Sequence, residues 1–89
     1  MEFRWNEWNI DHIAEHGVRP EEAEAVARNA KRPYPSRHMD GKWLVRGRGV
    51  GGRLIQVIFI IDDDEDETIY MIHARPLTHN EKRRFRRGE

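Results

Sequence analysis

Arg53 to Ile61, RLIQVIFII, constrains the fold more than any other stretch. Alternation puts Leu54, Ile58 and Ile60 on one face and Ile55, Val57, Phe59 and Ile61 on the other. A strand apolar on both faces belongs in the middle of a sheet covered on each side, or in a curved sheet wrapped over one core. At about 3.3 Å per residue it also spans nearly the whole of a small domain. Every other segment must pair with this strand or cover it.

The flanking signals are mostly local. Asn6 suits a helix N-cap, and Gly17 after His16 suits a C-terminal glycine, so a first helix is expected at about 7–15, with Trp8, His12 and Ile13 recurring along it. Pro20 followed by Glu21, Glu22 and Glu24 fits the start of a second helix over 20–29, with Ala23, Val26, Ala27 and Ala30 as its apolar stripe. KRPYPSRH, residues 31–38, carries two prolines and is expected as an edge strand or an irregular connection. Asp40-Gly41 marks a tight turn into a strand over 42–48, whose Trp43 and Val45 oppose Lys42, Leu44, Arg46 and Arg48. Gly49, Gly51 and Gly52 then join strand to strand, and no lysine-plus-hydroxyl pair follows to make a phosphate-binding loop.

A second strong strand is expected over 68–75, with Ile69, Met71, His73 and Arg75 on one face and Tyr70, Ile72 and Ala74 on the other. After Pro76, Thr78 and Glu81 form a capping box for a last helix over 79–87, anchored by Leu77 and Phe85. The order gives an α+β fold: a mainly antiparallel, curved sheet with two N-terminal helices and one C-terminal helix, in a single domain over 1–89. Phe3, Trp5, Trp8, Trp43, Phe59 and Phe85 are the large side chains available to its core.

No cysteine is present, which excludes disulfides and thiolate zinc sites. The opening MEFRWNEWN is not a signal peptide and no apolar run reaches membrane-span length, so a cytoplasmic protein with no membrane role is expected. The acids of 62–67 lack the glycine and closing glutamate of a calcium loop, and no metal or cofactor is expected.

A formal net charge of zero conceals blocks of one sign. Residues 1–27 hold seven acids against Arg4 and Arg19, and 28–53 hold eight bases against Asp40. Residues 62–67 are all acidic, and 75–87 hold six bases against Glu81. Such segregation fits a basic surface for a polyanion and an acidic surface for something basic.

Chemistry concentrates in His16, Arg46, Arg48, His73, Arg75, Glu81 and Arg84. Arg75 ends a rigid strand, and Arg84 follows Glu81 by three residues, so both can share a helix face. Cleavage of RNA by its own 2′-hydroxyl needs proton carriers, for which His16, His73 and Glu81 are candidates, and cations on the phosphate, for which Arg75, Arg84 and Arg48 are candidates. Arg46, Lys82, Arg83 and Arg87 extend the phosphate-binding or RNA-binding set. The plainer roles are an Arg75–Glu81 salt bridge, a half-buried His73 and a helix-capping His16.

Several motifs together carry a resemblance. They are Phe3-x-Trp5-Asn6, His16-Gly17-Val18 ahead of Glu21-Glu22-Ala23, Trp43-Leu44-Val45-x-Gly47-Arg48, and Ile72-His73-Ala74-Arg75-x-x-Thr78-x-x-Glu81-x-x-Arg84-Phe85. In this order they resemble the BrnT family of toxins from bacterial type II toxin–antitoxin systems. The resemblance implies a RelE/ParE-like fold, ribonuclease activity that arrests translation, and neutralisation by a cognate BrnA-like ribbon-helix-helix antitoxin, in a homodimer or a toxin2–antitoxin2 complex. It places toxicity on Arg48, Arg75, Glu81 and Arg84. Asn9, His12, Glu15, His73 and Phe85 stand where relatives commonly carry lysine, asparagine, lysine, serine and tyrosine. The expectation is a metal-independent endoribonuclease. The alternatives are a non-catalytic RNA-binding or protein-binding regulatory module of the same fold and a gyrase-poisoning toxin.

Overall fold

The computed structural model describes residues 1–63 and 67–88. Asp64, Glu65 and Asp66, in the acidic loop expected at 62–67, lie outside the described residues. The elements are β1 (Glu2–Arg4), α1 (Glu7–Ala14), α2 (Pro20–Arg28), β2 (Ser36–Arg37), β3 (Trp43–Arg48), β4 (Leu54–Asp63), β5 (Thr68–Pro76) and α3 (His79–Arg86). The strands form one sheet in the order β1-β5-β4-β3-β2. The long apolar strand is thus central. β2–β3, β3–β4 and β4–β5 pair antiparallel, while β1 runs parallel to β5, so the sheet is mixed and the fold is α+β.

Local chemistry sets the boundaries. Asn6 and Asn9 cap α1 reciprocally, each side chain accepting the other's backbone N–H at 3.1 and 2.8 Å. Gly17 takes φ +72°, where other residues are strained, and the helix stops. Pro20 opens α2. Its buried Glu22 takes Arg53 Nε–H at 2.8 Å and Nη2–H at 2.9 Å, pinning the helix to the start of β4. Gly49 lies where a β-carbon would come within 3.2 Å of Ile55 and 3.4 Å of Glu22, so the β3–β4 turn passes close under α2.

One face of the sheet builds the core. Val45, Ile55, Val57, Phe59, Ile69, Met71 and Ala74 pack against Ile13, Val18, Ala23, Val26 and Ala27. Phe3, Trp5, Ala30, Tyr34 and Trp43 are half-buried around them. Trp8 is 55% exposed, against its expected place in the core. The reason is the position of α1 on the border of β5. Asn9 is fully buried there and donates Nδ2–H to Arg4 O at 3.1 Å and Met71 O at 3.0 Å. The helix thus takes over where β1 stops pairing, with Asn9 and Ile13 inward and Trp8 outward. Phe85 also stands outside the core cluster, on a helix with no buried residue.

The expected faces of β5 hold only as far as Met71. Met71 pairs with Phe59 and His73 with Ile58, which makes Ile72 an extra residue, a β-bulge. Beyond it the alternation inverts. Ala74, fully buried, takes the core position, while His73 and Arg75 move to the face of Tyr70. A small apolar side chain enters the core in place of two polar ones.

Candidate functional site

Arg46, Gln56 and Arg75 are cross-strand neighbours on β3, β4 and β5. They alternate with the buried Val45, Ile55, Val57 and Ala74, and so form a row on the face away from the core. Leu54 and Leu77 are buried at the same end, where Leu77 N–H donates to Leu54 O at 3.0 Å. This joint turns the chain from β5 into α3 and carries Glu81 over the row.

Glu81 closes it. Its carboxylate accepts from Arg75 Nη1 at 2.8 Å and Nη2 at 2.9 Å, from Arg46 Nη2 at 3.1 Å, and from the Thr78 backbone N–H at 2.8 Å. Arg46 Nε donates to Gln56 Oε1 at 3.0 Å. Two-pronged arginine contacts of this kind fix both distance and plane. The Arg75 hydrogen bonds, aided by the Thr78 N–H and the charge of Arg46, hold the Glu81 pKa at about 2 despite partial burial. Arg75 is raised correspondingly, chiefly by its bond to Glu81. Glu81 is therefore ionised and fully engaged, and its role is to hold two guanidinium groups rather than to exchange protons near neutrality. Among the described residues, Nε–H and one Nη2–H of Arg75 remain beyond its contacts to Glu81 and Pro76 O.

A second cluster adjoins Arg75. Trp8, His12 and His16 recur every fourth residue and line one side of the first helix and its exit. The Trp8 and His12 rings stack at 4.8 Å and 9°, and Tyr70 lies 6.5 Å from Trp8. His73 meets His12 and His16 edge-on, at 6.1 and 5.1 Å between centroids. Burial, helped by His16, Arg75 and His12, lowers the His73 pKa below its usual value. A neutral imidazole thus sits beside a fixed cation, with exposed His16 against it. Among the described residues no group of three or more His, Cys, Asp or Glu side chains is arranged to hold a metal ion.

The remaining expected residues are dispersed. Arg84 does not join Arg75: it is exposed on the outer side of α3, where it lines a hollow of ≈ 200 Å³ with Asn80, Arg83 and Arg87. Arg46 takes the place expected for it at Glu81. Lys82 is half-buried on the same helix. Arg48, exposed at the end of β3, donates Nη1–H to Gly52 O at 2.7 Å. No family model, curated protein or solved structure matches the chain.

His12 and Tyr70 were not among the expected site residues. The four-residue spacing of Trp8, His12 and His16 was visible in sequence, but its meeting with His73 depends on the bulge. Among the described residues no helix is long and apolar enough to cross a membrane.

Proposed function

We propose that this chain is a metal-independent endoribonuclease toxin of a type II toxin–antitoxin system. It is a BrnT-type protein of RelE/ParE-like fold that acts in the cytoplasm, stops translation by cutting RNA, and is neutralised by a BrnA-like ribbon-helix-helix antitoxin. The observation that carries this reading is the neutral His73, flanked by His12 and His16, two residues along β5 from the immobilised Arg75.

In this mechanism His73 removes the proton of the 2′-hydroxyl, and the resulting oxyanion attacks the adjacent phosphorus. The free N–H groups of Arg75 meet the charge that gathers on the phosphorane oxygens. His16 delivers a proton to the 5′-oxygen as its bond to phosphorus breaks. The products are a 2′,3′-cyclic phosphate and a free 5′-hydroxyl. Glu81 and Arg46 act as positioning residues, and Trp8 offers an exposed ring for a neighbouring base.

The test is incubation of purified protein with RNA in EDTA. Cleavage leaving cyclic phosphate ends is expected, with a fall of about 10²- to 10⁴-fold in His73→Ala. RNA left intact under conditions where a known metal-independent ribonuclease cuts it would overturn the reading. A non-catalytic RNA-binding module is favoured by one observation, the place of Arg84 in the hollow with Asn80, Arg83 and Arg87 instead of among the contacts of Arg75. That alternative predicts RNA binding without cut ends and no growth arrest on expression.

A further inference from the structure

β2 pairs only as far as Leu44, so the Arg46–Arg48 end of β3 is a border of the sheet. A cleft of ≈ 450 Å³ opens there between the segment that follows α2 and the outer end of α3. Lys31, Arg32, Arg46 and Arg48 line it, together with the rings of Tyr34 and Phe85, and among the described residues no acidic side chain does. Its volume is within the range of small-molecule sites.

The chemistry of the lining narrows the occupant. Among the described residues no carboxylate pairs with Lys31, Arg32 or Arg48, so their charge is available to an incoming anion. A site for a bare anion would be polar throughout, yet two aromatic rings form part of this wall. Tyr34 is packed against the core cluster, which fixes its ring without an external ligand. A ligand that answers both features has a flat ring and a phosphate. Arg46 belongs both to this cleft and to the Glu81 cluster, so the two sites are contiguous.

We propose that the cleft binds one nucleotide of an RNA strand, with the base against Tyr34 and Phe85 and the phosphate on Lys31, Arg32 and Arg48. The choice of RNA as the polymer rests on the ribonuclease reading; the nucleotide chemistry does not. The cleft gives the strand a second hold beside the reacting bond, and the base seated in it contributes to sequence preference.

The test uses a fluorescent 2′-O-methyl RNA hexamer, which has no free 2′-hydroxyl and cannot be cut. Its affinity for the full chain is followed by anisotropy. Tyr34→Leu and Phe85→Leu keep apolar bulk and remove the aromatic face; each is expected to weaken binding about 5- to 150-fold. The double variant Lys31→Gln/Arg32→Gln is expected to bind more weakly and to reduce the salt slope by roughly 1.4. Amide spectra confirm that each variant is folded. Unchanged affinity in folded Tyr34→Leu and Phe85→Leu, with inorganic phosphate displacing the hexamer as well as uridine monophosphate does, would overturn the proposal. So would an acidic peptide that moves the cleft amides when the hexamer does not. If the hexamer binds as expected while unmodified RNA stays intact, the cleft stands and the ribonuclease reading falls. If RNA is cut with unchanged KM in the Tyr34 and Arg32 variants, that reading stands and the cleft proposal falls.

Discussion

Glu81 does two jobs with one carboxylate: it caps α3 and gathers Arg75 and Arg46. Its folded pKa lies at about 2, below the ordinary 4.5, so the associated stability is fully present above pH 4.5 and is lost as pH falls from there toward 2. The shift corresponds to on the order of 3 kcal/mol. Glu81→Gln retains a cap but not the charge; urea unfolding at pH 7 should show a loss of about 2 kcal/mol that disappears near pH 2. His73 is also depressed, so its neutral form survives below pH 6.5, and the stability linked to it is present above 6.5 and lost as pH falls through the lower folded value. An imidazole titration by NMR should place the His73 inflection below 6.5, with the acid limb of RNA cleavage following it. An inflection at or above 6.5 would remove His73 as the base. The Thr78–Glu81 box and the Arg75–Glu81 pair were readable in sequence because they are three and six residues apart. Arg46, thirty-five residues from Glu81, was not, since its place depends on cross-strand register.

At the level of elements, two features decide where the site forms. The first is Asn9, whose buried amide closes the border of β5. Asn9→Ala leaves the Arg4 and Met71 carbonyls without this donor and should cost about 2 kcal/mol by chemical denaturation. The second is the bulge at Ile72, whose removal is a sharp test of register. Deleting Ile72 joins Met71 to His73 and leaves every later residue opposite its present partner, so a dispersed amide spectrum and a cooperative melt are expected. Deleting Ala74 instead draws Arg75 toward the core position opposite Val57, and loss of the cooperative transition is expected. Element ends were legible because caps, proline and glycine act within a turn of themselves. The bulge was not: TIYMIHAR contains no glycine and reads as unbroken alternation. The exposure of Trp8 followed from the same limit, because pattern alone does not say whether a helix lies over a sheet or along its border.

For the whole molecule, the separation of charge along the chain becomes a separation in space. The basic block after α2 and the basic end of β3 line one cleft with Phe85 of α3, while Glu22 and Glu24 of the acidic block are consumed in ties to Arg53, Arg28 and Trp5. RNA affinity should fall steeply with salt, with a log–log slope of about −3 if four phosphates are met. Anisotropy between about 50 and about 200 mM salt measures it; a flat response would exclude this surface. The central place of RLIQVIFII and the α+β class were evident from composition and alternation, whereas the parallel pairing of β1 with β5 was not, since it joins the two ends of the chain across sixty-six residues. The arrangement at Glu81 has a last consequence. One anion sits between two cations, so the trio retains a whole positive charge while its side chains are already frozen in place. An arriving phosphate would meet a field that has not been cancelled by the clamp that orients it, and would surrender little of the rotational freedom that loose arginines forfeit on binding.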